Sequence, residues 1–274
     1  MKRVRIKWYL MVMKLIFFEV KNPIYASIRI IFLSSPFTIK IRRDETVISG
    51  ERSLIIEKLM DTYLNRMNPS GDYVWHYNKK AYHIGGYNSS ATIFSTFILK
   101  DWNKLRVKGR TVLDIGGYVG DTAIYFAAKG AKRVIVYEAF PYSFKIAKKN
   151  INQNNLSDIV EINNCALGGM NSFITIDPNY INDNESKVVA FSDGIKIPVI
   201  TLKDIVEKYN INEGCLKLNC EGCEYEVFDN IDIETLQKFS EIHMHYHANK
   251  SPLIKKLKLA GFKVKVDDYI YAVQ

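Results

Sequence analysis

No stretch of the 274-residue chain stays apolar for long, and a spanning helix needs ~18 such residues. The greasiest part, "WYLMVMKLIFFEV" followed by "IYASIRIIFLSSPFTI", is interrupted by Lys14, Glu19 and Arg29, which excludes a transmembrane reading. Lys2, Arg3 and Arg5 precede an apolar stretch as in a signal peptide, but no small-x-small cleavage site follows it, so that reading is set aside. Cysteine is equally scarce: the four are Cys165, Cys215, Cys220 and Cys223. Without a secretory signal they point to a reducing compartment and a cytoplasmic location. Cys220 and Cys223 form a CxxC, yet no second pair stands at zinc-site spacing, so both read as incidental thiols. Internal repeats and low-complexity stretches are absent, which excludes solenoids and tails.

What is present is unevenly charged. The formal charge is +9, and residues 1–50 hold ten Lys/Arg against three Asp/Glu, so +7 of the excess lies there. Such an arm is expected to meet something anionic, phospholipid or nucleic acid. It reads as a helix and strand packed on the body with a solvated basic face. The alternative is peripheral contact with an anionic membrane at its inner face.

Periodicity divides the rest. Residues 51–105 form a small α+β cap: "ERSLIIEKLMDTYLNRM" has helical spacing and stops at "NPSGD", "YVWHYNKKAYHI" alternates about Asn78-Lys79 as a hairpin, and "SATIFSTFILKDW" continues as a helix. Residues 106–274 alternate strand and helix, from "TVLDIG" through "RVIVYEA" and "CLKLNCEG" to "EIHMHYH". Near-continuous β-branched strands between helices imply an α/β fold with a mainly parallel sheet covered on both faces. The last two runs, "FKVKV" and "YIYAV", are separated by Asp267-Asp268 and should close the sheet as an antiparallel edge hairpin. Residues 169–200 interrupt the alternation, and "NSFITID" with "IKIPVIT" reads as a hairpin excursion. This is the Rossmann-like, class I methyltransferase layout, although layout alone does not give function.

The first glycine turn is more informative. A dinucleotide fingerprint needs glycines at i, i+2 and i+5, but counting from Gly116 those positions hold Tyr118 and Asp121. Asp121 would also set a carboxylate against a pyrophosphate. The actual pattern is Asp114-x-Gly116-x-x-x-Gly120, which suits a ligand with cationic groups and no phosphate. Asp114 can sit near an ammonium, Gly116 and Gly120 permit close backbone approach, and Asp121 or Thr122 can cap the next helix. Eighteen residues beyond Gly120, Glu138 ends the next strand, where a carboxylate can accept both hydroxyls of a ribose.

In order, "VLDIGGYVGDTAIYFAAKGAKRVIVYEAFPYSFKIAKKNINQNN", "VEINNCALGG", "TLKDIV", "LKLNCEGCEYEVF" and "EIHMH" resemble the FkbM family of S-adenosylmethionine (SAM)-dependent methyltransferases. The resemblance implies methylation of a hydroxyl on a sugar or natural product. It puts Asp114, Gly116 and Gly120 on the methionine side of SAM, Glu138 at the ribose, and Asn164, Cys165 and Ala166 near the adenine. Asn219 stands where the family has an aspartate, and Cys223 where it has an alanine. An amide cannot serve as a base or strong metal ligand, so a mechanism that charges position 219 does not apply here.

SAM brings an activated methyl group, so the residual task is to align and deprotonate an acceptor. Glu221 and His243 are expected at the strand ends, with His243 the better-matched base. His243, His245 and His247 should face one way, but along one strand they spread over ~13 Å, too wide for one ion, and no metal is assigned. The expected reaction is therefore O-methylation of a glycan, glycolipid or related metabolite. RNA methylation is one rival. Its [DN]PP[YF] turn is matched only by "DPNY" at Asp177–Tyr180, without the second proline and about 40 residues before the strand that should carry it, and the catalytic half lacks Arg runs and stacking aromatics. A non-catalytic SAM-binding protein is the other rival.

Overall fold

The computed structural model describes residues 2–32, 36–42, 45–67, 72–87, 90–177 and 194–274. The helices α1 (Lys2–Glu19) and α2 (Pro23–Phe32) and the hairpin of β1 (Phe37–Lys40) and β2 (Val47–Gly50) make the arm. The cap follows with α3 (Arg52–Met67) and the hairpin of β3 (Tyr73–Tyr77) and β4 (Lys80–Ile84), turning on Asn78 and Lys79, both with positive φ. The third cap helix departs from expectation. Only α4 (Ser90–Ile93) is α-helical; Phe94–Leu99 widens into a π-helical turn, Lys100 is left-handed (φ 58°), and Asp101–Lys104 is a 3-10 turn. Asp101 accepts the Ser95 hydroxyl at 2.8 Å, which holds this reversal. Wide turns of this kind are frequent beside functional sites.

The body contains β5 (Thr111–Ile115), α5 (Asp121–Ala128), β6 (Arg133–Tyr137), α6 (Pro141–Gln153), β7 (Val160–Asn163), β8 (Ala166–Gly168), β9 (Ser172–Ile176), β10 (Ile195–Thr201), α7 (Leu202–Lys208), β11 (Gly214–Leu218), α8 (Cys223–Asn230), α9 (Ile233–Gln237), β12 (Phe239–His245), α10 (Ser251–Leu259), β13 (Lys263–Val266) and β14 (Tyr269–Val273). The main sheet has seven strands in the order β13-β14-β12-β11-β5-β6-β7. It is parallel except at β14, which runs antiparallel between β12 and β13. The terminal hairpin is therefore inserted, with β13 rather than the last strand on the edge. The excursion pairs β9 antiparallel and β8 parallel to β10 as a separate three-stranded sheet. Pro178–Tyr180 of the "DPNY" stretch lie outside the described residues.

Period-2 alternation fills both faces of the main sheet. Val112, Val134, Val136 and Cys215 point into one buried cluster with Ala123, Ile124, Phe126 and Ile151 of α5 and α6. Leu113, Ile135, Leu216 and Leu218 point into the other with residues of α7 to α10, including Ile205, Phe228 and Leu257. The first cluster continues without a break through Trp75 and Phe97 of the cap to Val12 and Ile16 of α1. Each such side chain, fully buried, is worth about 1.5–3 kcal/mol. At the other end of the sheet, the carboxyl ends of β5, β6, β11 and β12 open beneath the cap.

Candidate active site

A cavity of about 1200 Å³ lies at those strand ends. Common ligand pockets span ~300–1,000 Å³, so there is room for a cofactor and an acceptor together. Its walls come from α3 (Arg52, Ile56, Met60), the π-helical turn (Ser95, Thr96), the loops after β5, β6 and β11, and the end of β12.

The loop after β5 approaches its neighbours as closely as backbone can. Gly116 lines the cavity at φ 75°, and a Cβ there would lie 1.8 Å from the Asn219 carbonyl oxygen. Gly120 (φ 82°) is the N-cap of α5 and abuts Ala147 of α6, behind the cavity wall. Neither Asp121 nor Thr122 caps that helix through its side chain. Asp121 instead lines the cavity and accepts the Thr96 hydroxyl at 2.6 Å. Burial pushes its carboxyl up to about 6, against that hydrogen bond.

Asp114 does not reach the cavity. Its carboxylate is fully buried, accepting from Thr122 Oγ1 at 2.6 Å and pairing with Lys217 Nζ at 2.8 Å. Lys217, which does line the cavity, also donates to the carbonyls of Gly116 (2.6 Å) and Ile115 (3.2 Å) and sits 5.2 Å over the Trp102 ring. Asp114 thus acts on the glycine turn through Lys217 and Thr122. Sequence reasoning passed over Lys217, although a lysine inside a fully apolar strand, "CLKLN", signals a buried partner.

Glu138 stands directly after β6 and lines the cavity. Its two oxygens accept the backbone N–H groups of Tyr118 (2.8 Å) and Phe140 (2.9 Å). Burial nevertheless raises its carboxyl to about 7. Cys165 and Ala166 also line the cavity, and the Cys165 thiol, raised by burial, donates to the Pro198 carbonyl at 3.0 Å. The Asn164 amide turns away and spends both donors on the carbonyls of Glu138 and Ala139, each at 2.9 Å. It fixes the Glu138 segment rather than facing a ligand.

The segments after β11 and β12 carry the titratable groups. Glu221 follows β11 in a left-handed conformation (φ 56°) and, with Cys220, Gly222 and Cys223, faces the cavity. Cys220 and Cys223 are joined as a disulfide, which corrects the expectation of incidental thiols for these two. Glu221 pairs with His247 Nε2 at 3.0 Å. The buried Glu224 accepts His247 Nδ1 at 2.8 Å, the His247 backbone N–H at 3.0 Å and the Gly222 N–H at 3.0 Å. Burial alone would lower the imidazole, but the hydrogen bonds and charges of Glu221 and Glu224 outweigh it and raise His247 to about 9. Burial pulls Glu224 upward, and its bond from His247 holds it below the usual carboxylate range. His245 Nδ1 lies 3.2 Å from Asn219 Oδ1, so the residue in place of the family's aspartate is the partner of a histidine.

His243 is not part of this group. It sits inside β12, two residues before the strand ends, where it is fully buried and packs edge-on against Trp102, Tyr269 and Tyr271. Neither ring nitrogen has a hydrogen-bond partner, and burial lowers it to about 3, so it is neutral. β12 ends at His245, two residues short of the expected "EIHMHYH", so the three histidines do not share one strand face: His247 lies in the loop beyond and lines the cavity with His245, whereas His243 does not. Among the described residues no cluster of His, Cys, Asp or Glu is arranged to hold a metal ion.

The residues present fit SAM: at Gly116, where a Cβ would strike the Asn219 carbonyl, the backbone itself borders the cavity, and the buried Glu138 offers a carboxylate to it. Residues 114–264 match the model of the methyltransferase FkbM domain, more than half of the chain. A protein of Methanocaldococcus jannaschii, assigned by name to the protein N5-glutamine methyltransferases, is 33% identical over 101 residues, 35% of this chain and 48% of that protein. The chain thus spans about half the length of that curated relative. Among solved structures, methyltransferase FkbM from Methylobacillus flagellatus aligns over 65% of this chain and 47% of that one, with 16% identity and a TM-score of 0.47. TrmK of M. capricolum in complex with S-adenosylhomocysteine aligns over 65% and 66%, with 14% identity and a TM-score of 0.40. The chain belongs to the FkbM family of SAM-dependent methyltransferases.

Proposed function

We propose that this protein methylates a hydroxyl group of a glycan, glycolipid or related metabolite. The observation that carries this reading is the Glu221–His247–Glu224 cluster at the acceptor end of the cavity. A hydroxyl is a poor nucleophile until its proton is withdrawn, and a base within hydrogen-bond reach supplies that. With the imidazole protonated, two carboxylates and one imidazolium carry one net negative charge, so the cluster can accept one proton. The Gly222 and His247 amides hold Glu224, which fixes the imidazole through Nδ1, and Nε2 pairs with Glu221 at the cavity.

Beside this cluster, Gly116 lets the backbone close on the amino-acid part of SAM, while Glu138 accepts the ribose hydroxyls and Cys165 and Ala166 border the base. SAM supplies a methyl group already activated on a sulfonium sulfur. Trp102, Tyr118 and Phe140 wall the cavity and exclude water.

Transfer to an amide nitrogen, as the name of the M. jannaschii relative states for that protein, makes a different demand, because a planar amide must be gripped by hydrogen-bond acceptors. The turn after β11 here reads Asn219-Cys220-Glu221-Gly222 and contains no proline. It presents a carboxylate and a disulfide where such a grip would stand.

The test is transfer of radiolabelled methyl from SAM into a source-cell extract split into glycolipid, RNA, protein and small-molecule fractions, with Glu138→Ala as control. Label in the glycolipid or small-molecule fraction that the variant loses supports hydroxyl methylation. Label in protein or RNA overturns it, and no label despite SAM binding returns the chain to a binding role.

A further inference from the structure

The arm carries two apolar stripes where one suffices. On α1, Val12, Leu15 and Ile16 are buried against the body, and on α2, Ala26 and Ile30 are. Those positions satisfy the packing of a surface helix. On the outward side of the same helices, Leu10, Phe17 and Phe18 recur at helical spacing with Lys14 between them, and Ile24, Tyr25, Ile28, Ile31 and Phe32 do the same on α2. Phe18 and Phe32 are each 75% exposed and Ile24 is 68% exposed. Eight of the fifteen large exposed apolar residues among the described residues fall within these twenty-three positions, so the distribution is concentrated rather than scattered. Contiguous exposed apolar surface of this kind marks an interaction site.

We propose that the outward face of α1 and α2 docks on an anionic lipid bilayer. Charge selects the occupant. Residues 1–50 carry a net +7, which attracts an anionic surface and opposes the approach of an identical arm from a second copy. Nucleic acid would satisfy the charge but leave eight apolar side chains in water. A helix lying in the interface, with aromatics in the acyl boundary and the exposed Lys14 toward the headgroups, satisfies both. No described helix is long and apolar enough to cross the membrane, so the contact is peripheral. α1 and α2 pack on each other and α1 on α3, whose Arg52, Ile56 and Met60 line the cavity. The helices of the docking face are thus joined to one wall of the cavity through α3.

The test is co-sedimentation of the full chain with phosphatidylcholine vesicles and with vesicles containing about one third phosphatidylglycerol, which requires no turnover and is independent of the acceptor. The expected result is at least tenfold tighter binding to the anionic vesicles, weakened by raised salt. Combined Phe17→Ser, Phe18→Ser and Phe32→Ser substitution should remove binding while the melting temperature and S-adenosylhomocysteine affinity stay unchanged. Binding retained in the variant, or no vesicle binding by the parent chain, overturns the proposal. So does a stable dimer in vesicle-free solution that the same substitutions dissociate, which would assign the face to a second copy.

Discussion

Replacing Lys217 by methionine tests the part of the site that the sequence did not announce. Lys217 and Asp114 form an ion pair at 2.8 Å between side chains that are 2% and 0% exposed. Methionine preserves the apolar stem and removes the charge, leaving Asp114 with only the Thr122 hydroxyl. Stranding one member of a buried pair costs about 3–5 kcal/mol. Two carbonyls of the glycine turn also lose their ammonium donor, though these effects overlap and do not add in full. Neutralising both partners in Lys217→Met/Asp114→Asn removes the stranded charge, keeps an acceptor for Thr122, and should cost under ~2 kcal/mol. The coupling between the two sites is then at least ~1 kcal/mol in favour of the double variant. Urea titration followed by circular dichroism reads all four corners of the cycle, and calorimetric titration of S-adenosylhomocysteine reports whether the turn still closes. A Lys217→Met variant within ~1 kcal/mol of the parent, or a double variant as unstable as the sum of the singles, would falsify the role given to the pair.

Three further outcomes are expected. Burial raises Glu138 to about 7, so folding favours its protonated form and that contribution to stability is lost as pH rises through about 7. A bound ribose favours the carboxylate, so S-adenosylhomocysteine affinity should rise between about pH 6 and pH 8 and become flat in Glu138→Gln; a flat profile in the parent chain contradicts the ribose role. His243→Phe keeps the ring contacts and deletes two partnerless nitrogens, so melting temperature and turnover should hold, whereas Glu221→Gln should lower turnover by on the order of 10²–10⁴-fold. Lost turnover in a well-folded His243→Phe would restore that residue as the base. Opening the Cys220–Cys223 disulfide by a thiol reductant frees the turn that carries Glu221. About 2 kcal/mol of stability should go with it, and an unmoved urea midpoint would show that the staple adds nothing.

The chain's own order of residues determined the sheet and part of the cavity's lining. Strand and helix periods differ, so "TVLDIG" and "RVIVYEA" declare two-faced buried strands locally, and Gly116 and Glu138 follow from where those strands end. Those readings need only neighbours in sequence. Partners far apart in the chain were decided by the tertiary structure. Lys217 becomes the counter-ion of Asp114 because β11 lies beside β5 in register, Lys217 opposite Asp114, and nothing local in "CLKLN" names that partner. His243 and His247 look equivalent in "HMHYH", but β12 extends to His245 and α8 brings Glu224 beneath His247. One imidazole is thereby buried neutral among rings, and the other is charged between two carboxylates. The arm illustrates the same division: its basic and apolar composition is plain in the sequence, but only packing against the body shows which apolar stripe is used and which is left facing out.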